Sequence, residues 1–356
     1  MRAFRSRRQL EYSVGTYRFD VETFFPKRVM DRITDVRVSR REVIQIEAAA
    51  RKRRTSVARD GKLAILACDH PARRITKSGD DALIMGNRQE YLGRILRVVT
   101  DPEFDGVMGT PDILEDLLIV NHLVKEGGGE SFLDQMVMIG CMNRGGLSGV
   151  SFEMDDTMTA FTAESLHRLR LDGAKLMFRL DATHPDSGKT IRYCANAITE
   201  LNAYDLPAFL EPLPVAWDEQ TKKYTIKKTV ADLIQTNGVA TALGDSSRGI
   251  WLKIPYVPGF EQVALSTTCP VLMLGGTAKG TPIPTIQEFV EGMKIGGNVR
   301  GALVGRNVHF CGADDPCAVA GAIHQVVHRG FDLNQAIEYI HSERGKGMDR
   351  LTKYIS

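Results

Sequence analysis

Four charged residues stand where a soluble protein seldom puts charge. Lys175 interrupts the apolar run 174–180, and Lys253 interrupts the run 250–254. Glu211 follows the apolar run 207–210 at once, and Asp69 follows Leu63–Cys68. A lysine buried in a strand is costly unless it is paired or neutral. One such residue has an ordinary explanation as half of an ion pair. Two lysines and two carboxylates at corresponding ends of neighbouring strands do not, because buried ion pairs contribute little to stability. The combination suits imine chemistry. A lysine attacks a carbonyl only as the neutral amine, so its ordinary pKa of ~10.4 has to fall to about 7. A second ammonium at ~4 Å, in a medium of effective dielectric ~20, disfavours the charged form by ~4 kcal/mol. Lys175 and burial would therefore lower the pKa of Lys253, with Glu211 offsetting part of the shift. A carboxylate can then shuttle the protons of imine formation.

A second group of residues points to anion binding. Gly275-Gly276-Thr277 and Gly305-Arg306-Asn307 follow two later apolar runs. Glycines let backbone amides approach an anion, and arginine offers a planar fork to phosphate oxygens. Lys279 stands nearby. Arg144 in Asn143-Arg144-Gly145-Gly146, Arg179, and His70 beside Asp69 complete the expected binding set.

These residues need elements that bring them to one place. From residue 61 short apolar runs recur, each followed by a polar turn and a stretch with helical spacing such as Ile113, Leu114, Leu117, Leu118 and Val120. The runs are Leu63–Cys68, Gly106–Gly109, 136–141, 174–180, 207–210, 250–254, 270–274 and 301–304. Near-continuous apolar strands imply a parallel sheet buried on both faces. Eight βα units in roughly 250 residues fit a (β/α)8 TIM barrel, whose chemistry sits at the carboxyl ends of its strands. The rival open, doubly wound sheet lacks a GxGxxG after the first strand. Asp314-Asp315-Pro316 opens a closing helix, and residues 213–230, with Trp217 and Tyr224, form an inserted loop or hairpin at the active-site end.

The organisation expected is a basic extension over 1–60, the barrel over 61–330 and a C-terminal helical extension over 331–356. The first sixty residues carry sixteen Lys/Arg against eight Asp/Glu, including Arg51-Lys52-Arg53-Arg54. They read as an α-helical extension, amphipathic around Val43, Ile44, Ile46, Ala48 and Ala49, that packs on the barrel or on a neighbouring subunit. The chain has 356 residues, 43% hydrophobic and 25% charged, with a formal charge of +2. That balance gives no reason to expect nucleic acid or membrane as partner, and no apolar run approaches the ~20 residues of a membrane span. The six cysteines form no CxxC pair and read as reduced, in a cytoplasmic setting. His309, Cys311 and Cys317 match no common zinc spacing, so no metal is expected. Asp186-Ser187-Gly188-Lys189-Thr190 resembles the tail of a phosphate loop but has Thr183 where glycine is required.

The motifs Ala67-Cys68-Asp69-His70, Phe209-Leu210-Glu211-Pro212, Leu252-Lys253-Ile254-Pro255-Tyr256 and Val304-Gly305-Arg306-Asn307 resemble the class I (Schiff-base) aldolase superfamily of deoxyribose-phosphate, tagatose-bisphosphate and archaeal-type fructose-bisphosphate aldolases. The resemblance covers residues from about 61 to 330. It implies a metal-free aldolase, without cofactor, in which Lys253 forms the imine and Asp69, Lys175 and Glu211 complete the centre. It also implies a phosphorylated keto-sugar or keto-sugar acid as partner, dihydroxyacetone phosphate plus an aldehyde as products, and a homo-oligomer. Leu272-Met273-Leu274 lack the strand-seven lysine of deoxyribose-phosphate aldolase. A subgroup resembles myo-inositol catabolic aldolases that cleave 2-deoxy-5-keto-gluconate 6-phosphate, whose carboxylate Arg144 or Arg179 would hold. The competing functions are a metal-dependent lyase on the same barrel and a catalytically silent sugar-phosphate-binding barrel.

Overall fold

Eight of the nine strands read from the chain as apolar runs because both of their faces are covered. In the computed structural model, which describes residues 10–101, 103–144 and 147–355, they are β1 (Leu63–Cys68), β2 (Gly106–Gly109), β3 (Val137–Cys141), β4 (Gly173–Leu180), β5 (Ala208–Asp218), β7 (Ile250–Pro255), β8 (Val271–Leu274) and β9 (Val299–Val304), with β6 (Lys223–Ile226) between β5 and β7. Gly145 and Gly146 lie outside the described residues. The order β4-β3-β2-β1-β9-β8-β7-β5, with β4 also paired to β5, closes a parallel barrel of eight strands. Helices follow the strands and bury their apolar faces on the outside. Pro111–Glu126, for instance, presents Ile113, Leu114, Leu117, Leu118 and Val120 inward.

Alternation along each strand decides what enters the barrel. Leu63, Ile65 and Ala67 of β1 pack inside with Met108, Val137, Ile139, Cys141, Phe209, Leu272 and Leu303. Asp69 continues the β1 series two residues further on, Glu211 continues from Phe209, and Lys253 from Trp251. A two-residue period thus aims all three into the carboxyl-end mouth. Lys175 starts one layer lower, level with Phe209. Its long stem carries the ammonium up to the same height.

Two strands differ from the expected runs. β5 does not stop at 210 but continues past Pro212 and Pro214 to Asp218. It stays paired with β4 as far as Leu180↔Pro214, then forms an antiparallel hairpin arm with β6. Prolines are tolerated there because the strand is becoming an edge. β9 begins two residues before the expected position, at Val299, and its register against β8 slips between Val271 and Leu272. Gly301 occupies that irregularity with φ +134°, and a Cβ there would lie 2.0 Å from the Leu63 carbonyl oxygen.

The basic N-terminal segment packs on its own barrel. Helices Lys27–Ser39 and Val43–Ala50 bury Val29, Ile33, Val36, Val43 and Ala48. The cluster after them is consumed by acids at the amino ends of the strands. Arg51 Nη1 lies 2.9 Å from Asp172, Arg53 Nε 2.7 Å from the same carboxylate, and Arg54 Nη1 2.9 Å from Asp105. This is a structural use of charge by Arg51, Arg53 and Arg54. At the other terminus, helix Pro316–Arg329 is capped by Asp315, which also pairs with Arg97 at 2.7 Å with both side chains fully buried. The segment after helix Leu333–Glu343 is tied down by Arg344 on Asp314 and Arg350 on Asp101. All six cysteines are free and buried. No helix among the described residues is long and apolar enough to cross a membrane.

Candidate active site

The four sequence-predicted charges meet at the mouth of the barrel. Lys175 Nζ lies 3.0 Å from Asp69 Oδ2 and 3.3 Å from Glu211 Oε2. Lys253 Nζ donates to that same Glu211 oxygen at 2.9 Å. β5 and β7 pair Leu210 with Leu252, so Glu211 and Lys253 are neighbours on adjacent strands at one height. A single carboxylate oxygen thus joins the two lysines.

The lysines are not equivalent. Lys175 is fully buried between two carboxylates. Burial alone would depress its pKa, but Asp69 and Glu211 outweigh it and push the pKa up. Lys253 retains slight exposure and has one carboxylate partner. Burial lowers its pKa most, Glu211 opposes, and the Lys175 ammonium lowers it further, leaving a net depression. The order of causes differs from the sequence expectation: desolvation leads and the second ammonium assists. The carboxyls run the other way. Burial would raise Asp69, but Lys175 and Arg73 hold it well below the usual carboxylate range. Glu211 is likewise held low by Lys253 and Lys175 against its own burial. Lys175 is therefore a fixed cation, while Lys253 is the amine more readily freed of its proton.

Arg73 was not foreseen from the sequence. It lies in the short 3-10 turn Pro71–Arg73 that follows β1. Its Nε is 3.7 Å from Asp69 Oδ2, four residues back. The signal was that i,i+4 spacing, which is informative only once a helical turn is known to follow Asp69. Asn143 is a second addition. Fully buried, it donates to the Met177 carbonyl oxygen at 2.8 Å and accepts from the Met177 amide at 2.8 Å, which locks the end of β3 onto β4 beside Lys175.

The binding residues divide. Arg306 lines a mouth cavity of about 400 Å³ with Ile75, Lys77, Ser148, Thr277 and Ala278. Gly276 stands beside it with φ +72° and nothing within 4 Å of where a Cβ would be. Gly275 and Gly305 are glycines for a further reason. A Cβ on Gly275 would lie 2.8 Å from Val304 Cγ2, and one on Gly305 would lie 2.5 Å from His70 Cε1. His70 is buried behind Gly305, 3.4 Å from the Tyr91 hydroxyl, and burial drives its pKa well below the ordinary value, so it is neutral. Arg179 is held by Glu153 at 2.5 Å and lies over the Tyr224 ring, while Arg144 donates to the Thr159 hydroxyl at 3.0 Å. Both are engaged by protein groups on the mouth wall. Lys279 is paired with Glu288 at 2.6 Å, and Asn307 pins the loop after β8 through the Gly275 and Thr277 carbonyls. Tyr256 turns away to donate to Glu291 at 3.0 Å. The phosphate-loop look-alike is the start of helix Ser187–Ala203, with Lys189 paired to Asp155 and Asp186.

Among the described residues, one group of His, Cys, Asp and Glu is close enough to share an ion: Asp105, His324 and His328. Asp105 precedes β2, at the amino end of the barrel, so this group lies at the opposite end from Lys253.

The chain is similar in sequence and fold to known proteins. Residues 61–327 match the Cgl0159-like family. A solved structure of Cgl0159 from Corynebacterium glutamicum is 33% identical, with a TM-score of 0.78, over 86% of this chain and 98% of that one. A solved Schiff-base-forming fructose-1,6-bisphosphate aldolase shares the fold at 20% identity and a TM-score of 0.54, over 80% of this chain and all of the other. Two curated relatives match in part. One is a 2-amino-3,7-dideoxy-D-threo-hept-6-ulosonate synthase of Archaeoglobus fulgidus, 34% identical over 88 residues, which are 25% of this chain and 32% of the relative. The other is an uncharacterized aldolase of Saccharolobus solfataricus, 27% identical over 146 residues, 40% and 48% of the two chains. The match thus spans about a third and a half of these relatives. With its model covering most of the barrel and its solved relative matched almost end to end, the Cgl0159-like family is the one to which this chain belongs, and its barrel shares the fold of the Schiff-base-forming aldolase.

Proposed function

We propose that this protein is a class I aldolase, a carbon–carbon lyase that works through a Schiff base on Lys253. The observation that carries the reading is the Lys253–Glu211–Lys175–Asp69 chain of contacts at the barrel mouth, with the pKa of Lys253 lowered and that of Lys175 raised. The neutral amine of Lys253 attacks a ketone carbon and Glu211 passes protons as the carbinolamine loses water. The resulting iminium takes up the electron pair of the bond between its α and β carbons as that bond breaks. The hydroxyl on the departing fragment gives its proton to a carboxylate and leaves as an aldehyde. The remaining enamine is protonated on carbon and hydrolysed, which frees Lys253. Lys175 stays charged throughout, disfavouring an ammonium on Lys253, and Asp69 holds Lys175 in place.

The substrate proposed is a phosphorylated keto-sugar or keto-sugar acid giving dihydroxyacetone phosphate and an aldehyde, with 2-deoxy-5-keto-gluconate 6-phosphate as the first compound to test. Support comes from Arg306 and Gly276 at the mouth cavity and from the aldolase names among the relatives. The test is reduction with borohydride in the presence of candidate keto-sugar phosphates, followed by mass spectrometry of the peptide holding Lys253. Turnover by a Lys253→Ala variant would sink the mechanism. Because the iminium supplies the electron sink, added chelator should leave the rate unchanged.

A further inference from the structure

Arg73 and Arg306 are two guanidinium groups at one barrel mouth without adequate partners. The Arg306 side chain makes no hydrogen bond or ion pair among the described residues, and its buried Nε has no acceptor. The Arg73 guanidinium has one carboxylate within 4 Å, Asp69 at 3.7 Å, too long for a hydrogen bond, and its buried Nε is likewise unsatisfied. Among the described residues the buried arginines elsewhere each hold a carboxylate, even though the Arg51 Nε also lacks an acceptor. Arg97 holds Asp315 and two carbonyl oxygens, and Arg51 holds Asp172 and the Met136 carbonyl. A buried guanidinium left short of acceptors is unfavourable unless a ligand supplies them.

Charge at the mouth points to the ligand. Lys175, Arg73 and Arg306 are three cations facing two carboxylates, Asp69 and Glu211, with His70 neutral. One positive charge is uncompensated while Lys253 is neutral, and two once Lys253 is an iminium. The turn that carries Arg73 leads straight to Ile75, Lys77 and Ser78, which wall the same cavity of about 400 Å³ as Arg306 and Thr277. The Arg73 carbonyl also accepts from the Ser148 amide at 3.0 Å, which fixes this turn to the loop after β3.

We infer that Arg73 is a specificity-determining residue that acts with Arg306 to hold a dianionic phosphate group of the substrate at this cavity. Arg306 and the open Gly276 serve one side of the group, and Arg73, braced by Asp69, serves the other. The neutralised pair then faces a centre whose charge is balanced at the iminium stage. This rests on the proposed aldolase reading for its chemical purpose, but phosphate binding can be measured without turnover.

The probe is inorganic phosphate, titrated into the full chain by calorimetry, with acetate as a parallel ligand. Arg73→Met and Arg306→Met should each weaken phosphate binding by ~10-fold or more, the effect expected for a lost charge-assisted hydrogen bond. Arg73→Lys should fall between Arg73→Met and the unaltered protein, because an ammonium keeps the charge but not the fork. It is read in place of Arg73→Met if the latter does not fold. Phosphate affinity of the Arg73 variants within twofold of the unaltered protein would overturn the inference and leave Arg73 a brace for Asp69. Acetate binding tighter than phosphate would overturn the assignment to phosphate. Absence of a borohydride adduct on Lys253 would instead refute the imine reading and leave the phosphate titration standing.

Discussion

Two lysines joined by one carboxylate oxygen at the barrel mouth differ in how readily each gives up its proton. Lys175 is neutralised by Asp69 and Glu211 and stays an ammonium, while Lys253 shares one carboxylate oxygen and loses its proton more easily. Two outcomes follow. The kcat/KM of the unaltered enzyme should rise with pH as Lys253 loses its proton, and this limb should lie below the ordinary lysine range. Lys175→Met removes one cause of the depression and leaves Glu211 to Lys253 alone, so the limb should move to higher pH, which a pH–rate profile on each protein reads directly. Glu211→Gln should lower kcat by ~10²–10⁴-fold if the carboxylate shuttles protons. The four central charges were legible because a charge inside an apolar run contradicts its surroundings. Arg73 was not, because it stands in a polar loop, where charge is the default. The partners of Arg179 and Arg144, Glu153 and Thr159, were not legible either, because both come from a polar loop after β3.

The elements explain how precision at the mouth is achieved. Lys253 and Glu211 are neighbours because β5 and β7 pair in one fixed register, and a slip by one residue would turn both side chains out of the barrel. The amino ends of the strands are secured separately by the Arg51–Asp172 and Arg54–Asp105 pairs. Asp172→Ala would leave the buried Arg51 guanidinium without its counter-charge, and should cost about 3–5 kcal/mol in urea unfolding. Gly301→Ala should also destabilise the fold, since its φ of +134° disfavours any side chain and the new Cβ would meet the Leu63 carbonyl. The existence of the eight barrel strands was readable because burial on both faces leaves an unbroken apolar signature. The length of β5 was not, since Pro212 and Pro214 read locally as a stop while pairing with β4 carries the strand through them. Nor was the start of β9, where an irregular register places polar Arg300 inside a strand.

For the molecule as a whole, the barrel keeps the candidate site and the anchoring of the N-terminal segment at opposite ends. At the amino end His328 bridges Asp60 of the N-terminal segment and Asp105 of the barrel, each at 2.7 Å. Burial lowers its pKa, but the two carboxylates outweigh that and raise it above the ordinary value. A raised folded-state pKa gives stability that is fully present below the unfolded value of ~6.5 and is lost as pH rises through the folded one. His328→Gln should therefore cost more stability at about pH 6 than at about pH 9, as urea midpoints at the two pH values would register. At the carboxyl end the sign is reversed. Asp69 and Glu211 have depressed pKa values, so their contribution is present above the usual carboxylate range and fades as pH falls through the folded values. The measurement that bears most directly on the central claim is borohydride trapping with a keto-sugar phosphate, read by peptide mass spectrometry. A reduced adduct on Lys253, missing in Lys253→Met with loss of turnover, is the result predicted; an adduct on Lys175, or turnover by Lys253→Met with no adduct, would contradict it.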